Sequence, residues 1–370
     1  MQVVDSACDA FITIEGRKLL NLCSNNYLGL AADERLKRAA VRAIRTFGVG
    51  TGASRLVSGN IRLHQQLEEK LAKFKKQEAC LVYPAGYSTN LGIISVLAGR
   101  SDIVLCDRLN HASIVDGIIL SRAELMRYAH KDLRALERLL RKSPKHKRKL
   151  IITDSVFSMD GDIAPVPGLL ELARKHDCLL ILDDAHATGV LGKNGRGALE
   201  HFGLNADERI VQMGTLSKAV GCLGGFVCGS KDLIDYLVNR SRPFIFTTGL
   251  PAAICASALT AIGIIEKDAG LRRRLWENAN FLRGGLKSLG FETLESETPI
   301  VPVLTKEPAL TMEFSRRLFE TGVFVQGIRP PTVPEGTSRL RVTVMATHTK
   351  KDLEFALEKF QMIGKTLGGI

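Results

Sequence analysis

The chain has 370 residues, of which 45% are hydrophobic, and 51 Lys and Arg against 39 Asp and Glu give a formal net charge of +12. That length and apolar content exclude a disordered or fibrous chain and allow a sizeable core, in two domains or in one large domain with an appendage. The excess positive charge favours anionic partners such as nucleic acid, an acidic carrier protein or a phosphorylated small molecule, and says nothing about the fold.

In chain order, "MQVVDSACDAF" lacks both a basic start and a continuous apolar stretch, so no signal peptide is expected in it. The glycines of "GVGTGAS" (Gly48, Gly50, Gly52) do not follow a strand-like run, as a dinucleotide fingerprint should, and no GxxxxGK[ST] occurs. From about residue 79, short apolar runs alternate with amphipathic stretches: "ACLVY" then "STNLGIISVLAG", "DIVLC" then "HASIVDGIILSR", "KLIIT" then "VPGLLELARKH", and "CLLIL" then a glycine-rich loop. This alternation predicts a largely parallel sheet covered by helices, with ligands at the carboxyl ends of its strands.

The only dense basic run, "KHKRK" at 145 to 149, contains no aromatic residue and follows a helix end, which suits a solvated connection better than a nucleic-acid surface. Residues 247 to 265 are uncharged, but their Ala, Gly, Ser and Thr content and Pro251 favour a packed helix over a membrane span. After residue 270, charged helical periodicity gives way to short runs such as "IVPVL" and "RLRVTVM", the pattern of a smaller α+β domain. The eight cysteines show no CxxC and no histidine pairing for zinc, and several sit in apolar runs, so reduced thiols, no metal and a cytoplasmic protein are expected.

The loops after the apolar runs carry the candidate chemistry. "DDAH" places Asp183 or Asp184 where a strand stops, with His186 beyond; the alternative is a helix cap with a surface acid. "YPAGYSTNLG" puts Gly86 and Tyr87 at a strand-to-helix turn, where unpaired N–H groups and the helix dipole hold a phosphate, or merely cap a turn. "LNHAS" offers His111, a capping or ring-facing histidine. "GTLSKAVGCLGG" sets Lys218 among glycines, which a backbone uses where it must approach a ligand closely; an ordinary surface lysine is the alternative. One ligand uses a lysine, an acid, a histidine and a phosphate cradle together. Pyridoxal 5'-phosphate fits that set, through a Schiff base to the lysine and a carboxylate that keeps its ring nitrogen protonated.

The stretches "SNNYLGL", "GTGASRLVSGN", "NHASIVDG", "TDSVFSMDGDIAPV", "DDAHATGVLGKNGRG", "GTLSKAVGCLGG" and "RPFIFTTGLP" resemble the α-oxoamine synthases, from about residue 10 to the end. That resemblance implies the pyridoxal-phosphate-dependent transferase fold of type I, similar to aspartate aminotransferase. The large domain, 27–270, would hold a mainly parallel seven-stranded sheet. An N-terminal segment, 1–26, would pack with a small C-terminal α+β domain, 271–370.

It further implies that Lys218 holds the cofactor and moves the α-proton, that Asp183 pairs with the ring nitrogen, that His186 bonds the phenolic oxygen, and that His111 stacks on the ring. Gly86, Tyr87, Ser158 and Thr215 complete the cofactor contacts, with Thr248 reaching the phosphate from a partner subunit. Asn25 and Arg341 take the amino acid's carboxylate, and Thr332 touches substrate. Such sites imply a homodimer without nucleic-acid or membrane partners.

Within the family, "DDAHATG", "FTTGLP" and "IRPPTVPEGTSRLRVTVMATH" imply decarboxylative condensation of L-alanine with a pimeloyl thioester, on an acyl-carrier protein or coenzyme A, as in biotin biosynthesis. The near alternative is glycine with acetyl-CoA, and the distant one a non-enzymatic anion or nucleic-acid binder. The family's N-terminal helical segment, with an arginine at the acyl substrate, does not precede the "EGRKLLNL" region here, so either the start is a short one or another residue is expected to hold the pimeloyl carboxylate.

Overall fold

The computed structural model describes residues 2–144 and 147–368. Two compact units emerge, one of residues 34–157 and 164–267, the other of residues 1–33, 158–163 and 268–370. Lys145 and His146 of the basic run lie outside the described residues, while Lys147 donates to Glu124 at 2.7 Å.

The larger unit is organised by a seven-stranded sheet whose order is Ala79–Tyr83, Gly225–Gly229, Ile210–Thr215, Cys178–Asp183, Lys149–Asp154, Ile103–Asp107 and Glu124–Tyr128. All neighbours pair in parallel except Gly225–Gly229, which runs antiparallel to both strands beside it. Strands covered on both faces read as continuous apolar runs, and alternate side chains enter different cores. Val104, Leu150, Ile152, Ile181 and Val211 pack with Ile93, Ile94 and Ile114 on one face. Ile103, Leu105, Ile151, Leu180 and Leu182 pack with Leu136, Leu169 and Leu170 on the other.

The uncharged stretch near residue 250 forms the helix Ala252–Lys267 of this unit, and among the described residues no helix is long and apolar enough to cross a membrane. Its small residues suit a packed partner: Ser257 Oγ donates to the carbonyl of Leu36 at 3.2 Å.

The smaller unit carries two three-stranded sheets. One orders Phe11–Ile14, Arg17–Asn21 and Val323–Phe324; the other orders Ile300–Lys306, Ser338–Thr343 and Gln326–Ile328. The helices Ala269–Ser288, Pro308–Glu320 and Lys350–Leu367 complete it, and Phe291, Phe314 and Phe360 meet with ring centroids 5.7 to 5.9 Å apart. Residues 158–163 belong to this unit although the segments flanking them belong to the other, a division that no local signal in the sequence marks.

Candidate active site

In the larger unit, the carboxyl ends of Lys149–Asp154, Cys178–Asp183 and Ile210–Thr215 open on a cavity of about 220 Å³. Of the residues singled out in the sequence, it is lined by Gly86, Tyr87, His111, Asp183, His186, Thr215 and Lys218.

Gly86 begins the helix Gly86–Leu97, whose first turn leaves backbone N–H groups without intrahelical acceptors and presents the positive end of the helix dipole. Ser88 steadies that turn: its Oγ accepts from the Ala85 N–H at 3.2 Å and donates to the Ala85 carbonyl at 2.8 Å. The approach here is close. A Cβ on Gly225 would lie 2.3 Å from Thr89 Oγ1 and 2.8 Å from the Cα of Gly86. Glycine is therefore required at 225, and part of the bareness of "GTLSKAVGCLGG" comes from the strand against which the helix start packs. Thr215 Oγ1 is tied to Ser217 Oγ and to the Gly224 carbonyl, both at 2.8 Å, which fixes the loop that carries Lys218.

The structure separates the two adjacent acids. Asp184 is committed to structure: Lys75 Nζ donates to its Oδ2 at 2.7 Å and Ser155 Oγ to its Oδ1 at 2.6 Å, with the Lys75 side chain fully buried and that of Asp184 1% exposed. Asp183, also buried, faces the cavity and accepts from Asn90 Nδ2 at 2.7 Å and from the Ala185 N–H at 2.8 Å.

His111 combines both roles that the sequence left open. It caps the helix Ala112–Ser121 through Nδ1, which accepts from the Ser113 N–H at 3.2 Å, and it lines the cavity. Desolvation lowers its pKa below the ordinary value; the Lys218 ammonium acts in the same sense, while the Asp183 and Asp116 carboxylates oppose it. Asp154 is its backbone partner, accepting the His111 N–H at 2.7 Å. Burial first, and the neighbouring Asp183 second, hold the Asp154 carboxyl well above the ordinary carboxylate range, toward the neutral acid. His186 is buried at the cavity wall three residues beyond Asp183.

The remaining predicted residues lie elsewhere. Thr248 is exposed and forms an isolated bridge with Ser54, in a segment held by His64, whose Nε2 meets the Leu250 carbonyl at 2.9 Å. In the smaller unit, the buried Arg341 donates from Nε to the Ser158 carbonyl at 2.5 Å and from Nη2 to Asn25 Oδ1 at 3.1 Å. Three residues from distant parts of the chain thus converge. Burial pushes the Tyr27 hydroxyl up to about 12, with Arg341 acting against it. Thr332 stands exposed in a turn, its N–H on the Arg329 carbonyl at 3.1 Å.

Three contributors escaped sequence reasoning: Lys75, Asn90 and Asp154. Asn90 had a usable signal, being one helical turn beyond Gly86 and therefore on the same face. Lys75 had none.

The model of aminotransferase class I and II matches residues 17–360. An 8-amino-7-oxononanoate synthase of Geobacter sulfurreducens is 55% identical over 359 residues, 96% of this chain and 92% of that protein. The chain belongs to the class I and II aminotransferase family.

Two solved structures are also similar. An SPT solved with PLP superposes with a TM-score of 0.96 at 36% identity, covering 100% of this chain and 94% of that one. An 8-amino-7-oxononanoate synthase from Francisella tularensis superposes with a TM-score of 0.82 at 30% identity, covering 94% and 98%. The chain is thus a pyridoxal-phosphate-dependent enzyme, and its cradle has the required chemistry: a helix start for an anion, a buried carboxylate, a histidine and a lysine around one cavity.

Proposed function

We propose that this enzyme is an 8-amino-7-oxononanoate synthase, condensing L-alanine with a pimeloyl thioester, with loss of carbon dioxide and release of the carrier thiol, in biotin formation. The observation that carries this is full-length similarity to proteins of that name at 50 to 55% identity, joined to a cavity holding Lys218, Asp183 and His111 together.

When bound, pyridoxal phosphate supplies an aldehyde for the amine and a cationic ring that takes up the electron pair left on Cα. Lys218 Nζ would hold the group and would accept the proton from the amino acid's Cα. It does so only as the neutral amine. Asp183 would pair with the ring nitrogen and keep it protonated, and the two N–H donors on its carboxylate fix it in orientation. His186 would donate to the phenolic oxygen, and His111 would cover the ring as a neutral imidazole. Gly86, Tyr87 and Thr215 would hold the phosphate end, with Ser158 adding a polar contact. Arg341 and Asn25 take the carboxylate of alanine, and the guanidinium is already oriented by the Ser158 carbonyl. Thr332 contacts substrate. The basic surface suits an acidic acyl-carrier protein or the phosphates of coenzyme A.

The working form is a homodimer in which Thr248 of one copy reaches the phosphate of the other. Supporting this, the larger unit leaves Val49, Leu56, Val57 and Phe246 between 52% and 80% exposed, an apolar surface that a second copy would cover.

The test is the visible absorbance of the purified enzyme during titration with L-alanine and with glycine. Saturable change with alanine at a concentration at least tenfold lower than with glycine is expected. The reverse preference would favour glycine C-acetyltransferase.

A further inference from the structure

Asn90 is 1% exposed, and both hydrogens of its amide group are in use. Nδ2 donates to Asp183 Oδ2 at 2.7 Å and to Ser113 Oγ at 2.9 Å. Its Oδ1 is buried with no hydrogen-bond partner among the described residues. A lone buried acceptor is destabilising, yet turning the amide over would aim that oxygen at the Asp183 carboxylate, so the two donor contacts determine the orientation.

The consequence continues outward. Ser113 Oγ accepts from Asn90 Nδ2 and lies 2.8 Å from His111 Nδ1, a contact whose direction follows the tautomer of the ring. The Ser113 N–H points at the same nitrogen. An N–H can only donate, so the lone pair sits on Nδ1 and the ring proton on Nε2, and the Ser113 hydroxyl in turn gives its proton to Nδ1 while accepting from Asn90.

We propose that Asn90 is a positioning residue of this site: one amide group orients the acid that would pair with the ring nitrogen and holds the Ser113 hydroxyl that donates to His111 Nδ1. Asn90 lies one turn after Gly86 on the helix whose start faces the phosphate, so this helix aligns the phosphate end and the ring acid together. The proposal rests on the assignment of Asp183 to the ring nitrogen. The charged and titratable groups around His111 are Asp183, Asp154, Asp116, Lys218 and Tyr87, all of which remain in the variants that test Asn90 and Ser113.

Three variants of the holoenzyme separate the possibilities. Asn90→Asp keeps size but turns the donor facing Asp183 into an acceptor; Ser113→Ala removes only the link to His111; Asp183→Asn tests the underlying assignment. The readouts are cofactor affinity, from absorbance titration of resolved enzyme, and the acid-side midpoint of the pH profile of kcat/KM.

Asn90→Asp should weaken cofactor binding by about tenfold to a hundredfold, the equivalent of one lost charge-assisted hydrogen bond. Ser113→Ala should leave affinity within about threefold and move the midpoint up, because the neutral imidazole loses a donor that favoured it. Wild-type affinity in Asn90→Asp together with weakened Asp183→Asn would overturn the role of Asn90 alone. Wild-type affinity in Asp183→Asn would overturn the assignment beneath it. A midpoint in Ser113→Ala that stays put or moves down would remove the relay, even if Asn90→Asp failed to fold.

Discussion

Lys75→Met is the substitution whose cost the structure bounds most directly. Lys75 Nζ donates at 2.7 Å to Asp184 Oδ2 and at 2.7 Å to the carbonyl of Arg196, in a place where both charged side chains are essentially dry. Methionine matches the aliphatic stem and removes the ammonium. Asp184 then keeps Ser155 Oγ at 2.6 Å and the Ala198 N–H at 3.3 Å, but its charge faces no lysine. Breaking a buried pair from one side costs about 3–5 kcal/mol, and the surviving donors place this case at about 3. For a unit of this size that is a fall of roughly 6–12 °C in melting temperature, read by circular dichroism of the holoenzyme. The double variant Lys75→Met with Asp184→Asn should recover at least about 1 kcal/mol of the loss, since it also removes the unpaired charge. A single variant melting within about 1 °C of wild type would refute the assignment of Asp184 to structure.

Other consequences are equally direct. Gly225→Ala should destabilise the protein by about 1–3 kcal/mol and weaken cofactor binding, because the new methyl meets Thr89 and the Gly86 backbone; unchanged melting and affinity would contradict the packing described. Arg341→Lys should raise KM for L-alanine by about tenfold to a hundredfold with cofactor affinity unchanged, because a lysine cannot reproduce the guanidinium fork; an unaltered KM would remove Arg341 from carboxylate binding. His64 is held neutral, its pKa lowered by burial to about 4 from 6.5. The unfolded chain therefore binds the extra proton between those values, so stability falls as pH drops from 6.5 toward 4, by up to about 3 kcal/mol from this residue. Denaturant titrations of His64→Gln across that range should show a flatter pH dependence, and an unchanged slope would refute the assignment.

The parallel sheet was legible in the sequence because strands buried on both faces need continuous apolar runs, and "DIVLC", "KLIIT" and "CLLIL" are such runs. Neighbouring residues on a strand point opposite ways, so "DDAH" could announce an acid without saying which one faces the ligand. The choice depends on Lys75, more than a hundred residues away, and distance along the chain hides it. Asn90 was missed for a different cause: its position one turn beyond Gly86 was readable, but its partners Asp183 and Ser113 meet it only in the folded sheet. Ser158 illustrates a third limit. Its motif was read for a side chain, whereas the structure uses its carbonyl to orient Arg341.

The central claim is the identity of the reaction, and one competition measures it. The holoenzyme is given L-alanine and glycine together with pimeloyl-CoA and acetyl-CoA, and the products are identified by mass. 8-Amino-7-oxononanoate as the dominant product, with carbon dioxide released in equal amount, is the predicted result. Predominant 2-amino-3-ketobutyrate, or no amino ketone at all from cofactor-loaded enzyme with the pimeloyl group supplied on coenzyme A and again on an acyl-carrier protein, would contradict it.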